Sequence, residues 1–195
     1  MESFESGTLA GIGSFRCQEC DFLINLATQD RVPTCPGCGG ERFVRASLFD
    51  QGGFEGRPWP VGEEADDSWL EAARAGIEAP GQYLAYHSGE ERVEVVALNS
   101  EWTRIGRSLA ADIRFDDPTV SRRHALITRQ ADGVRVMDDR SLNGVFVNGE
   151  RVEWSSLSDG DEILVGRHSL RFLDMADASA PAGTSTPGGV AGVGS

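Results

Sequence analysis

From residue 82 onward, apolar and β-branched residues occur in short runs that are separated by Gly, Asp and Asn. Short runs at intervals of about ten residues are typical of the strands of an antiparallel β-sandwich or barrel. The predicted strands are residues 83–86, 93–98, 102–105, 113–115, 125–128, 134–137, 145–147, 163–165 and 170–173. The turns at 131–133 and 147–150 contain Asp-Gly and Asn-Gly, which accept the positive φ of tight hairpins. Residues 82–174 are therefore predicted to form an antiparallel β-sandwich, and the chain is classed as mainly β.

The first part of the chain has a different pattern, in which a few apolar residues surround two cysteine pairs. These residues predict short strands around a very small core, and they are Phe15, Phe22, Leu23, Ile24, Leu26, Phe43 and Val44. A unit of about forty residues buries too little surface to be stable by burial alone. Residues 11–47 are thus predicted to fold as a small β domain with an additional source of stability.

The four cysteines supply that source. Cys17 and Cys20 form one C-x-x-C unit, Cys35 and Cys38 form a second, and fourteen residues separate the two. Two tight turns at this spacing present four thiolates to one tetrahedral ion, as in the zinc ribbons that this segment resembles. Structural zinc contributes ~10–16 kcal/mol of folding free energy, and four cysteine ligands leave no position for a reactive water. We therefore predict structural Zn²⁺ here, with a redox-active dithiol pair as the less favoured alternative.

Residues 48–81 contain Gly and Pro breakers and an acidic run at 63–67, which predict an extended, hydrated linker. Within it, Ser68 and Glu71 form a capping-box pattern, which predicts a short helix at about residues 68–76. Two turns of helix are too short to persist alone in water, so the helix is expected to dock on a neighbouring domain. Its apolar side consists of Trp69, Leu70, Ala73 and Ile77.

The net charge of −13 is unevenly distributed along the chain. Residues 92–173 hold twelve Arg and thirteen acidic residues, whereas residues 1–91 hold six Arg and sixteen acidic residues. Nucleic acids and anionic membranes bind basic surfaces, so neither is an expected partner. No apolar run reaches the ~20 residues of a membrane-spanning helix, and the N-terminus lacks the basic start of a secretory signal, so a cytoplasmic protein is expected. The tail at 175–195 is rich in small and polar residues and is predicted to be disordered.

Five short motifs follow one another between residues 104 and 172. They are Ile105-Gly106-Arg107, Ser121-Arg122-Arg123-His124, Ser141-Leu142-Asn143-Gly144, Val147-Asn148-Gly149 and Leu157-Ser158-Asp159-Gly160-Asp161. Their order and spacing strongly resemble the forkhead-associated (FHA) domain, over residues 82–174. The resemblance implies a β-sandwich that binds phosphothreonine peptides through the loops at one end. The run from Asp117 to His124, taken with Ser141-Leu142-Asn143-Gly144, is especially similar to the corresponding motifs of actinobacterial FHA regulators.

The same resemblance implies roles for residues in these loops. Arg107 and Ser121 are the expected phosphate ligands, because a guanidinium can bind two phosphate oxygens and a hydroxyl can donate to another. Arg122 is expected to add a peripheral cation. Asn143 is expected to hydrogen-bond the peptide backbone, since an amide both donates and accepts. Ser141 is expected to contact the phosphate or to shape its loop.

Three further residues, Gly106, His124 and Gly144, are expected to brace the loops rather than to touch the ligand. Ser121 and His124 stand three residues apart, which also suggests a catalytic pair. Neither an acidic partner for the histidine nor an oxyanion hole can be identified, so the chain is predicted not to be an enzyme. The chain departs from the family pattern at Leu142, where many relatives carry a hydroxyl residue.

The sequence as a whole predicts a phosphothreonine-dependent adaptor or regulator in Ser/Thr kinase signalling. Its expected partners are phosphothreonine-containing proteins, with a kinase or its substrates as candidates. An intramolecular phosphorylated ligand is a further hypothesis, for which the candidates are Thr8, Thr184 and Thr186. Another hypothesis places the acidic run at 63–67 against Arg107 and Arg122 in place of phosphate, whereas the favoured interpretation leaves this run hydrated. The alternative function is a phosphate-independent protein scaffold that uses the zinc ribbon and the FHA loops.

Overall fold

The structure, a computed structural model, describes residues 2–46, 68–88 and 92–175. Fifteen strands and one helix lie within these ranges. Five of the predictions concern residues outside them, namely the extended part of the linker at 48–67, the acidic run at 63–67, Thr184, Thr186 and the tail beyond residue 175. In the described ranges, no helix has the length and apolar character needed to cross a membrane.

The N-terminal ribbon is a four-stranded antiparallel sheet next to the cysteine pairs. In spatial order its strands are β1 (Ser3–Glu5), β4 (Arg42–Arg45), β2 (Gly13–Cys17) and β3 (Leu23–Leu26). β1 lies ahead of the predicted domain start at residue 11, and Phe4 packs edge-on against Phe15 with ring centroids 5.1 Å apart. β3 lies at the opposite edge of the sheet, so one side of its backbone faces away from the other ribbon strands.

The helix α1 (Ser68–Ala75) forms where the capping pattern predicts it. Leu70 is buried against Ala85 and Leu173, on the outer face of the sandwich. The other apolar residues of this side, Trp69, Ala73 and Ile77, pack on the same cluster. The helix thus docks on the sandwich, as its apolar side predicts.

The C-terminal domain is a sandwich of two sheets, as predicted. One sheet contains β5 (Gln82–His87), β6 (Val93–Ala97), β11 (Val145–Val147), β12 (Glu150–Val152), β14 (Glu162–Val165) and β15 (His168–Asp174), in the order β12-β11-β14-β15-β5-β6. The other contains β7 (Trp102–Gly106), β8 (Ile113–Arg114), β9 (Ala125–Gln130), β10 (Gly133–Asp138) and β13 (Trp154–Ser156), in the order β13-β10-β9-β7-β8. Their inner faces enclose a core that includes Ile105, Ile127, Val136, Val145, Ile163 and Phe172. All nine predicted strands are present, whereas β12 and β13 were not predicted.

The ribbon packs against the outer face of the six-stranded sheet. Phe146 and Leu164 are cross-strand partners on β11 and β14, and both point away from the sandwich core. They are 6% and 8% exposed because they join the apolar cluster of the ribbon. The two domains therefore meet through a continuous apolar contact, next to the loops that carry the predicted site.

Candidate functional site

Three loops meet at one end of the sandwich, and hydrogen bonds donated by backbone amides join them. The Arg107 amide, directly after β7, donates to the Ser121 carbonyl at 2.9 Å. The Leu142 amide, in the loop after β10, donates to the Ser121 hydroxyl at 3.1 Å. The structure thus brings together Arg107, Ser121 and the loop that carries Asn143, as the motifs predicted. The Ser121 hydroxyl accepts in this bond, so its proton can be directed toward a ligand.

His124 links two of these loops from inside the protein. Its Nδ1 accepts from the Ser121 amide at 3.0 Å, and its Nε2 lies 3.1 Å from the Gly144 carbonyl. An amide can only donate and a carbonyl can only accept, so the ring is the neutral tautomer with its proton on Nε2. Burial lowers the pKa of His124 to about 4, which is consistent with this assignment.

Close approach of the backbone explains why glycine is needed at two loop positions. A Cβ at Gly106 would collide with the Arg122 carbonyl oxygen, because the two loops cross there. Gly144 has φ +92°, a conformation that L side chains rarely adopt, and a Cβ there would meet the Arg151 side chain. Both glycines therefore permit the loop arrangement.

The Arg107 guanidinium has three partners, two of which belong to the ribbon. Its Nε donates to Asp116 at 3.2 Å, within the sandwich loops. Its Nη1 donates to the Asn25 carbonyl at 2.7 Å, and its Nη2 donates to the Asp30 carboxylate at 2.5 Å. Although partial burial acts in the opposite direction, these carboxylates raise the pKa of Arg107 above its ordinary value.

The Asn143 side chain is also engaged by the ribbon. Its amide nitrogen donates to the Leu23 carbonyl at 2.7 Å, and its oxygen accepts from the Leu23 amide at 2.9 Å. Two residues along β3, the Asn25 amide donates to the Pro118 carbonyl at 2.8 Å. Asn143 is only 2% exposed as a result. The loops that are predicted to hold a phosphopeptide therefore hold an extended strand of the same chain.

Ser141 and Arg122 have different surroundings from these two residues. The Ser141 hydroxyl donates to Asp138 at 3.0 Å and accepts from the Gly144 amide at 2.8 Å, so its hydrogen bonds lie inside its own loop. Arg122 is exposed and lines an open cleft of about 920 Å³ between the ribbon and the loops. Two aspartates and five arginines line this cleft, the latter being Arg107, Arg114, Arg122, Arg123 and Arg140. The cleft is therefore cationic.

The four cysteines form a cluster whose geometry fits a tetrahedral zinc ion. Their Sγ atoms all lie within 4.8 Å of one another, and the Cys17–Cys38 and Cys20–Cys35 pairs are 3.6 Å and 3.5 Å apart. Zn–S bonds of about 2.3 Å place neighbouring sulfurs about 3.8 Å apart. None of the four is in a disulfide.

The backbone around the cluster also suits thiolates. Amides of Glu19, Gly37 and Gly40 point at Cys17, Cys35 and Cys38, with N–S distances of 3.4–3.5 Å. Burial raises the pKa of Cys20 to about 12 and raises that of Cys35 as well, so these two thiols need a cation to ionise at neutral pH. A divalent metal would supply that charge.

Sequence reasoning missed the ribbon residues in this site. Nothing in the sequence around Asp30 or β3 indicates that they belong to the site, because their partners Arg107 and Asn143 lie 77 and 120 residues away. Asp116 orients both Arg107 and Arg114, the latter at 2.8 Å. The position of Asp116 close to Arg107 in the sequence is the signal that points to this role.

Comparison with known proteins agrees with the two-part architecture. A model of the FHA domain family matches residues 103–166, and a model described as a zinc-ribbon containing domain matches residues 1–47. The chain is 41% identical over 115 residues to the oxoglutarate dehydrogenase inhibitor of Corynebacterium jeikeium, covering 57% of this chain and 80% of that protein. It is 39% identical over 106 residues to the glycogen accumulation regulator GarA of Mycobacterium tuberculosis, covering 53% of this chain and 65% of GarA.

The chain aligns with Mycobacterium tuberculosis EmbR in complex with a low affinity phosphopeptide at 30% identity and a TM-score of 0.46. The alignment covers 55% of this chain and 29% of the EmbR chain.

Proposed function

We propose that this chain, which belongs to the family of FHA-domain regulators, is a phosphothreonine-dependent protein-binding adaptor in Ser/Thr kinase signalling. Its partners in this proposal are phosphothreonine-containing proteins, such as a kinase or its substrates, in the cytoplasm. The proposed arrangement is a zinc ribbon near residues 11–47, a linker at 48–81, an FHA domain at 82–174 and a tail at 175–195.

The observation that carries this proposal is the convergence of three loops: Arg107 and Ser121 line a cationic cleft, and Asn143 and Arg107 both bind the backbone of β3. A phosphothreonine has a charge of about −1.5 to −2 at neutral pH, and each charge-assisted hydrogen bond contributes ~1.5–3 kcal/mol. Arg107 and Ser121 would bind the phosphate and Asn143 the peptide backbone. Arg122 would add a peripheral charge, and Ser141 would shape its loop. Such a set supports micromolar affinity, or roughly −8 kcal/mol.

The role that we propose for His124 is to brace the loops, not to catalyse. Both ring nitrogens are hydrogen-bonded to backbone groups, and the Ser121 hydroxyl is bonded to the Leu142 amide. A serine nucleophile would need the histidine on its hydroxyl instead. The names of the two relatives, an inhibitor and a regulator, agree with a function in binding.

Zn²⁺ in this proposal is held by Cys17, Cys20, Cys35 and Cys38. Bound there, it would supply structural stabilisation, because four thiolates complete its coordination. The two C-x-x-C units flank β3, so a metal between them would also fix where β3 begins.

A phosphate-independent scaffold is the second candidate function, and one observation favours it. The same loops hold β3, an unphosphorylated strand, through Asn143, Pro118 and Arg107. A scaffold of this kind would bind plain and phosphorylated partners equally.

The experiment that separates the two candidates is capture from degenerate peptide libraries by the zinc-loaded full chain. Matched sets would carry phosphothreonine, phosphoserine or unmodified threonine at the central position. The proposal predicts selective capture of the phosphothreonine set. Equal capture of all three sets would favour the scaffold instead.

A further inference from the structure

The outer edge of β3 is bound by the sandwich as an extended peptide would be. β3 pairs with β2 on one side only, so its other edge presents the backbone groups of alternate residues. At Leu23 both the amide and the carbonyl are bonded to Asn143. At Asn25 the amide donates to Pro118 and the carbonyl accepts from Arg107. Main-chain pairing to a strand edge is a recurrent mode of peptide recognition.

A negative charge accompanies this strand and lies on the phosphate-binding arginine. The Asp30 carboxylate accepts from Arg107 Nη2 at 2.5 Å, and the two side chains are only 24% and 16% exposed. The Ala27 amide also donates to the same carboxylate oxygen at 2.7 Å, which fixes the turn after β3. Although partial burial acts in the opposite direction, these contacts lower the pKa of Asp30, so it is ionised at neutral pH.

Apolar packing holds the ribbon in this position. Phe146 and Leu164 lie on the outer face of the sandwich, and they share a buried cluster with Ile24 and other ribbon residues. Without the ribbon, these two side chains would face solvent. The polar and the apolar contacts therefore act together on the same strand.

We propose that β3 and Asp30 are an intramolecular ligand of the phosphothreonine site, and that a phosphorylated partner binds by displacing the ribbon. This inference rests on the proposed function, which assigns Arg107 and Asn143 to the phosphopeptide. Both occupants use the same two side chains, so they exclude each other. A phosphate brings nearly twice the charge of the Asp30 carboxylate, which lets it compete.

Competition of this kind has a quantitative consequence. The apparent dissociation constant of a phosphopeptide is its intrinsic value divided by the fraction of molecules whose site is free. Weakening the Asp30 contact therefore tightens phosphopeptide binding, although Asp30 does not touch the peptide. Asp30 supplies a negative charge at Arg107, whereas the acidic run at 63–67 lies outside the described residues.

The test measures the affinity of a library-selected phosphothreonine peptide for four forms of the full chain. They are the wild type, Asp30→Asn, Glu41→Gln and Cys38→Ser. Asp30→Asn retains an oxygen for the Ala27 amide but removes the charge from Arg107. Glu41→Gln removes a charge from an exposed ribbon residue and is the matched control. Cys38→Ser removes a proposed zinc ligand and loosens the ribbon as a whole.

We expect Asp30→Asn to bind the peptide about tenfold more tightly than the wild type, which corresponds to ~1.4 kcal/mol. Cys38→Ser should bind at least as tightly as Asp30→Asn, and Glu41→Gln should match the wild type within about twofold. Phosphate-dependent binding of equal strength in all four forms would overturn this inference and leave the proposed function standing. Absence of binding in all four, including the loosened Cys38→Ser form, would overturn both.

Discussion

Asn143 and Leu23, 120 residues apart, exchange two hydrogen bonds of 2.7 Å and 2.9 Å between a side-chain amide and a strand backbone. An asparagine that pairs with both the amide and the carbonyl of one residue holds that strand in a fixed register. Arg107 extends the same contact to the carbonyl of Asn25 and to Asp30. The ribbon is thereby joined to the site that we propose for phosphothreonine.

Replacing Asn143 with alanine should weaken docking of the ribbon. The variant leaves the amide and the carbonyl of Leu23 without partners, at a cost of about 2–4 kcal/mol. Hydrogen exchange at the Asn25 amide, whose acceptor Pro118 is unchanged, should accelerate by roughly 30- to 900-fold. Asn99→Ala, at an exposed position, is the control and should exchange like the wild type. An unchanged rate in Asn143→Ala would show that this pair does not hold β3.

Stability should depend on the protonation of His124 in a defined pH window. Its pKa is lowered to about 4 in the folded state, against about 6.5 in the unfolded chain. Above pH 6.5 the ring is neutral in both states. As the pH falls from 6.5 to 4, only the unfolded chain takes up the proton, so the free energy of unfolding decreases by about 3 kcal/mol.

The measurement for His124 is urea denaturation at several pH values, for the wild type and for His124→Gln. Glutamine can accept and donate like the neutral ring but does not titrate. The variant should therefore lose this pH dependence between pH 6.5 and 4. Below about pH 4 its free energy of unfolding should still decrease, because carboxylates such as Asp117 have a lowered pKa in the folded state. If the free energy of unfolding changed equally with pH in both proteins between pH 6.5 and 4, His124 would not be the group responsible.

Metal removal should act on the ribbon and spare the sandwich. The purified chain is expected to contain one Zn²⁺, because its four cysteines form one cluster. A chelator should abolish the ribbon strands, since a unit of this size is not stable by burial alone. Nuclear magnetic resonance should then show a folded sandwich, and added Zn²⁺ but not Mg²⁺ should restore the ribbon. Ribbon signals that survive complete removal of zinc would contradict a structural role for the metal.

Hydrogen exchange with and without bound peptide should separate undocking from unfolding of the ribbon. The amides of Leu23 and Asn25 are bonded to the sandwich, and they should lose protection when a phosphothreonine peptide saturates the site. The Cys17 amide is bonded to Phe22 inside the ribbon, and it should keep its protection. Protection that persists at Leu23 and Asn25 in the complex would show that the peptide binds elsewhere.

The sequence predicted most of the sandwich, but not two of its short strands. β12 and β13 are three residues long and mostly exposed, so they show no apolar alternation. β12 forms by pairing with β11, and β13 forms by pairing with β10. β1 has the same character and depends on its pairing with β4. Such strands are determined by their neighbours rather than by their own residues.

For the site, the motifs that contain Arg107, Ser121 and Asn143 indicated three loops at one end of the sandwich, and hydrogen bonds join these loops there. They could not predict what those side chains contact. The apolar pattern of β3 correctly indicated a buried strand. Nothing in that pattern specifies that its free edge meets Asn143, because the contact depends on how two separately folded domains pack.

The most direct test of phosphothreonine recognition at this site is calorimetric titration with a library-selected phosphothreonine peptide and its unphosphorylated counterpart. The proteins compared are the wild type, Arg107→Ala and Arg104→Ala, of which the last removes an exposed arginine from the same strand, β7. We predict micromolar binding of the phosphorylated peptide by the wild type and by Arg104→Ala. Arg107→Ala should remain folded and lose the preference for phosphate, a reduction of about a hundredfold if two charge-assisted bonds are lost. A folded Arg107→Ala protein that still distinguishes the phosphorylated from the plain peptide would contradict the account.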